Sequence, residues 1–145
     1  MALKSLGEIQ SLSPIYESEP WGFHSEDWFW NMVVALETKL GPEDLLSAIL
    51  DIEKEMGRNR SARSGYSSRI IDIDLLSTEN LIQKSPLLEL PHPRLAERRF
   101  VLAPWADIAP NYIVPVWNKS VATLLAECPD TTLCRKLKDA PIYSH

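Results

Sequence analysis

An α+β sheet with helices packed on one face is the fold class this sequence predicts. Three observations carry it: residues 9–18 and 28–40 read as strands, residues 42–57 hold a helical apolar stripe, and the octet Arg69-Ile70-Ile71-Asp72-Ile73-Asp74-Leu75-Leu76 alternates as a further strand. The order is strand, strand, helix, strand.

The first strand is interrupted by Pro14, which predicts an edge position. Residues 28–40 put Phe29, Asn31, Val33 and Ala35 on one face against Trp30, Met32, Val34 and Leu36 on the other, the pattern of a long, well-buried strand. Pro42 at the first turn and the acids Glu43 and Asp44 near the positive end open the helix; Leu45, Ile49, Ile52 and Met56 form its core stripe and Gly57 closes it. Residues 57–69 hold four arginines, two glycines and four serines without apolar period and are expected to form a mobile cationic loop. Leu90-Pro91-His92-Pro93-Arg94 predicts a rigid extended loop, because the residue before each proline is pushed toward β or polyproline geometry. Residues 103–110 read as turn-rich, residues 112–116 as a short strand, and Ser120 as the cap of a last helix ending near Ala126. Beyond Pro129 the sequence offers no assignment.

With 145 residues, 45% hydrophobic and 24% charged, the chain reads as a single domain with material for one core. Its net charge of −5 argues against a general nucleic-acid binder, whose footprint is basic overall. No run approaches the roughly 18 apolar residues of a membrane span, and residues 1–7 do not read as a secretory leader, so no membrane partner is expected and the cytoplasm is the expected address. Cys128 and Cys134 lack metal-ligand spacing and read as free, reduced thiols.

The octet carries the chemistry. In a strand Asp72 and Asp74 share a face while Ile71, Ile73 and Leu75 line the other. Two anions side by side repel unless a cation lies between them, and Mg²⁺ binds through one or two carboxylates plus substrate phosphates. The plainer alternative is a half-exposed strand with a solvated acidic face. The arginines just upstream favour phosphate, since guanidinium forks match phosphate oxygens bidentately. Phe29 and Asn31 place an aromatic surface beside an amide that donates and accepts, a pair suited to a planar heterocycle and equally at home in a core. Arg98 and Phe100 again set a cation beside an aromatic.

The run Tyr16-Glu17-Ser18-Glu19-Pro20-Trp21-Gly22, then Phe29-Trp30-Asn31, Glu53-Lys54-Glu55-Met56-Gly57-Arg58, residues 69–76, Leu90-Pro91-His92-Pro93, Arg98-Arg99-Phe100-Val101-Leu102 and Ile108-Ala109-Pro110, in this order, resembles the 6-hydroxymethyl-7,8-dihydropterin pyrophosphokinases of folate biosynthesis. The similarity extends to about Pro115. It implies a ferredoxin-like antiparallel sheet and an ATP-dependent diphosphotransferase that moves pyrophosphate to the pterin hydroxymethyl group and releases AMP. It implies that Asp72 and Asp74 ligate two Mg²⁺ ions bridging the triphosphate, with Glu53 supporting the acidic cluster. Phe29 and Phe100 would sandwich the pterin while Asn31 and the backbone near Ser18 and Trp21 bind its edge. Arg58, Arg60, Arg69, Arg98 and His92 fall where the family contacts nucleotide or phosphate, and Tyr66 where an aromatic of the mobile loop sits. Arg58 and Arg69 join the aspartates as candidate catalytic groups.

Family members begin with a strand, a Gly-Ser-Asn-like turn and a first helix, and Met1-Ala2-Leu3 matches the end of that helix. The expectation is a domain over residues 1–145 that lacks the N-terminal strand, roughly 20 to 25 residues by the length of a strand, turn and partial helix. Unpaired strands in such a sheet are open to self-association. Two alternatives stand beside the enzyme: a truncated relative that binds nucleotide or pterin without turnover, and a ferredoxin-like interaction module that binds single-stranded nucleic acid.

Overall fold

The computed structural model describes residues 2–19, 29–64, 73–79 and 81–137; within the long helix, side chains are described to Gly57. It is a mixed α/β arrangement of short antiparallel sheets and, among the described residues, three α-helices. A 3-10 turn over Ala2–Leu6 leads into β1 (Glu8–Leu12), β2 (Tyr16–Ser18), β3 (Phe29–Asn31) and β4 (Val34–Glu37).

The two expected strands are present but each is broken once. Strands β1 and β4 pair antiparallel, as do β2 and β3. Between the pairs lies Pro14, which has no N–H to give a ladder. Ser13 bridges the break: its N–H donates to the Val33 carbonyl at 2.9 Å, and its hydroxyl accepts from the Val33 N–H at 2.8 Å. Pro14 thus falls between β1, an edge strand of the two-stranded sheet β1-β4, and β2, the central strand of the three-stranded sheet β3-β2-β9, so the edge expectation holds only for the half before it. Residues 28–40 are not a long, well-buried strand. As the edge of that sheet, β3 leaves Phe29 and Trp30 each 58% exposed.

Helix α1 runs over Pro42–Ser64. Leu45 and Ile49 are buried as expected, while Ile52 is half-buried and Met56 exposed. Gly57 does not close the helix. A glycine inside a helix costs only about 1 kcal/mol against alanine, and the Arg58, Arg60, Ala62 and Arg63 that follow are good helix formers. The cationic stretch expected to be a loop is therefore helical through Ser64.

Residues 73–76 form no strand ladder, contrary to the alternating pattern. Their backbone finds other partners: the Ile73 N–H donates to the Glu53 carboxylate, and the Leu76 carbonyl accepts from the His92 N–H at 2.7 Å. Alternation favours a strand only where a neighbouring strand is at hand to pair with.

A hairpin of β5 (Gln83–Lys84) and β6 (Glu89–Leu90) leads through a cis Leu90–Pro91 bond to a 3-10 turn at Leu95–Glu97. Helix α2 (Arg99–Ile108) then occupies part of what read as turn-rich sequence. Pro104 inside it removes one backbone hydrogen bond, at about 3 kcal/mol. Burial of Val101, Leu102 and Trp105, at about 1.5 to 3 kcal/mol each, outweighs that cost. A hairpin of β7 (Ile113–Val114) and β8 (Lys119–Ser120) precedes α3 (Val121–Ala126). Ser120 caps α3 as expected, its hydroxyl accepting from the Thr123 N–H. The core lies here: Leu95, Val101, Leu102, Trp105, Val114, Val121 and Leu124 form one cluster joining α2 to α3, with Leu76 and Phe100 packed against it.

The segment without a sequence assignment returns to the sheet. Strand β9 (Cys134–Lys136) pairs antiparallel with β2, so Ser18 lies between Phe29 and Cys134, and Tyr16 between Asn31 and Lys136. Cys128 and Cys134 are free thiols.

Candidate active site

Alternation along these strands sets Tyr16, Ser18, Phe29, Asn31, Cys134 and Lys136 on one face of the sheet. That face turns toward α2, which packs on β2, β3 and β9. The Tyr16 hydroxyl donates to the Asp107 carboxylate on α2, and the Lys136 ammonium lies 3.2 Å from Asp107 Oδ2. Burial and the bond to Asp107 push the Tyr16 phenol well above its ordinary pKa. Ser18 is buried, Asn31 half-buried, and Phe29 remains accessible.

Phe100, in the first turn of α2, is half-buried. The guanidinium of Arg98, the residue before the helix, lies 5.8 Å from its ring centroid, within the range of a cation–π contact. Sequence reasoning paired these two residues, and the fold brings them together.

Arg98 also acts on a neighbouring histidine. Burial and the positive charge of Arg98 hold the His92 pKa below its ordinary value; Asp74 opposes that shift and Arg94 adds to it. Asp74 is exposed. Its neighbour Ile73 is tied by its N–H to Glu53 on α1, and His92 Nδ1 accepts from the Arg94 N–H at 3.2 Å. Arg98 and Phe100 are thus in contact, while Arg98 and Asp74 act on His92 in opposite senses.

Asp72, Arg69, Tyr66 and Trp21 lie outside the described residues. Arg58 and Arg60 are on the last turns of α1, where only the backbone is described. Among the described residues no group of three His, Cys, Asp or Glu side chains is disposed to hold a metal ion. The donor set still fits a hard divalent cation: Asp74 offers an exposed carboxylate, and the Glu53–Ile73 bond steadies the backbone beside it. Mg²⁺ takes few carboxylates and completes its octahedron with water and phosphate oxygens.

Sequence reasoning missed Tyr16, Asp107, Asp130 and Lys136, which join α2 to the sheet. The Arg99 N–H donates to Asp130 Oδ2 at 3.1 Å, Arg99 Nε donates to the Asp130 carbonyl at 3.0 Å, and the Thr132 N–H donates to Asp130 Oδ1 at 2.9 Å. Burial alone would raise the Asp130 pKa; these bonds from Thr132 and Arg99, with the Arg99 charge, bring it below the usual carboxylate value. No spacing in the sequence joins residues so far apart.

The model of the family described as 7,8-dihydro-6-hydroxymethylpterin-pyrophosphokinase (HPPK) matches residues 1–110. The chain is similar to the 2-amino-4-hydroxy-6-hydroxymethyldihydropteridine pyrophosphokinase of Porphyromonas gingivalis, 47% identical over 72% of this chain and 73% of that protein. It is similar to the Aquifex aeolicus protein of the same name, 37% identical over 94% of this chain and 84% of that one. The folic acid synthesis protein FOL1 of Dictyostelium discoideum is 48% identical over 84% of this chain, which spans only 18% of that longer protein. The chain belongs to the 7,8-dihydro-6-hydroxymethylpterin-pyrophosphokinase family, whose reaction in folate synthesis is the ATP-dependent transfer of pyrophosphate to hydroxymethyldihydropterin.

Proposed function

We propose that this chain binds ATP and 6-hydroxymethyl-7,8-dihydropterin on the two sides of Arg98 and joins them by pyrophosphoryl transfer. The pterin hydroxyl oxygen forms a bond to the β-phosphorus of ATP, the bond from that phosphorus to the α,β-bridging oxygen breaks, and AMP leaves with the bridging oxygen. The hydroxyl proton is released, with Asp74 as a candidate acceptor. The observation that carries this reading is the position of Arg98, which faces the Phe100 ring and acts on His92 within a group that includes Asp74. A ring suited to a heterocycle and a cation suited to phosphate are in contact there, and Asp74 adds a carboxylate to the charges acting on the same histidine.

In this proposal Phe29 and Phe100 stack on the pterin from β3 and α2, and Asn31 reads its edge beside the Ser18 and Trp21 backbone. Arg58, Arg60, Arg69, Arg98 and His92 neutralise phosphate oxygens, and Tyr66 packs on the nucleotide. Asp72 and Asp74 would hold two Mg²⁺ ions, whose charge would stabilise the triphosphate as negative charge moves to the leaving AMP. Asp74 supplies its carboxylate, while Glu53 fixes the backbone at Ile73. The arginines add preorganised positive charge to the same transition state.

Within the same proposal residues 1–145 belong to one domain with a ferredoxin-like sheet. The reading is tested by AMP release from ATP, Mg²⁺ and the pterin, which should require all three. Tight binding of both ligands without AMP release would instead identify a non-catalytic relative.

A further inference from the structure

We infer that Asp130 is a positioning residue for the pterin slot, acting through Arg99; this rests on the function proposed above. Arg99 stands between Arg98 and Phe100 and begins α2. Its N–H and its Nε both bond to Asp130, so one residue fixes the helix start at the point from which Arg98 and Phe100 project. Four residues further on, the same segment enters β9. It pairs there with β2 directly opposite Ser18, and β2 in turn holds Phe29 and Asn31 in register.

The segment over residues 130–137 therefore joins the two walls of the slot: the Phe100 wall through Asp130 and the Phe29 wall through β9. Tyr16, Asp107 and Lys136 make a second tie between the same two elements. The Thr132 N–H holds the other Asp130 oxygen, so the carboxylate cannot turn away from Arg99 without losing a bond. What Asp130 sets is the separation and tilt of two rings that must grip a planar ligand. Small displacements of such walls reduce binding of the ligand between them far more than binding of one beside them.

The test is calorimetry with 6-hydroxymethyl-7,8-dihydropterin and, separately, a non-hydrolysable ATP analogue, on the wild-type chain, Asp130→Asn and Ser120→Ala. The carboxamide of Asp130→Asn presents an NH₂ group to one of the two N–H donors, and the pterin affinity of this variant should fall roughly tenfold with the ATP-analogue affinity unchanged. Ser120→Ala removes the cap of α3, away from the slot, and should lower the melting temperature while pterin binding stays intact. Should Asp130→Asn fail to fold, Arg99→Ala keeps the N–H bond but removes the guanidinium charge and the Nε bond to the Asp130 carbonyl, and should show the same selective loss at smaller size. Pterin binding equal to wild type in the folded Asp130 or Arg99 variant, or equal losses for both ligands, overturns the inference. A wild-type chain that binds no pterin overturns the proposed function itself.

Discussion

The Arg98 guanidinium carbon sits 5.8 Å from the centroid of the Phe100 ring. Held over an aromatic face, a guanidinium keeps its in-plane donors free for an anion at the ring's edge. Arg98→Lys keeps the charge and loses the flat stack. It should retain ATP-analogue binding but lower kcat/KM by about tenfold, and Arg98→Ala by roughly a hundredfold or more, the range found for removal of one charge-stabilising donor. Steady-state kinetics at saturating Mg²⁺ separates the two.

His92 reports on the same arginine. Its pKa is lowered by burial and then by Arg98, so the unfolded state binds the proton more readily than the folded state. Stability should therefore fall as pH falls from the unfolded value of about 6.5 through the lower folded one, the direction expected for a histidine held neutral. NMR titration should place the wild-type His92 pKa below 6.5 and find it higher in Arg98→Ala. An unchanged pKa in that variant would separate Arg98 from the group around His92.

Much of this site was legible because its residues lie close in sequence. Arg98 and Phe100 are two residues apart, Phe29 and Asn31 share a strand face, and Ser120 stands where a cap belongs; local rules reach that far. The errors came where tertiary context outweighed a local signal. Gly57 read as a stop, yet the arginines and alanine after it carry the helix to Ser64. Pro104 read as a turn, yet the burial of Leu102 and Trp105 holds it in α2. Residues 73–76 alternate, yet among the described residues they form no strand. Asp130 and β9 gave no signal because their partners, Arg99 and β2, are 31 and more residues distant.

The Tyr16–Asp107 bond gives an alkaline signature. The Tyr16 pKa is raised by burial and by Asp107, so this contribution is fully present below the unfolded value of about 10 and is lost as pH rises toward the folded one. Tyr16→Phe should cost about 1 to 3 kcal/mol at pH 8, as for a hydrogen bond to a charged group. The difference from wild type should shrink above pH ~10, as measured by urea unfolding. A constant difference through that range would contradict the assignment.

Asn31 should discriminate between ligands. Asn31→Leu leaves polar edge groups of a bound pterin unpaired, weakening its binding by about 1 to 3 kcal/mol with ATP-analogue binding nearly unchanged. Isothermal calorimetry decides it, and equal losses for both ligands would indicate misfolding.

The central claim is that the carboxylates at Asp72 and Asp74 serve pyrophosphoryl transfer and not the fold. AMP formation from ATP and 6-hydroxymethyl-7,8-dihydropterin as Mg²⁺ is titrated, for wild type, Asp72→Ala and Asp74→Ala, tests it most directly. Wild type should release AMP only with Mg²⁺. Both variants should be inactive while melting in EDTA close to the wild-type temperature, since replacing an exposed carboxylate such as Asp74 changes stability little. Near-normal turnover by both variants would contradict the account.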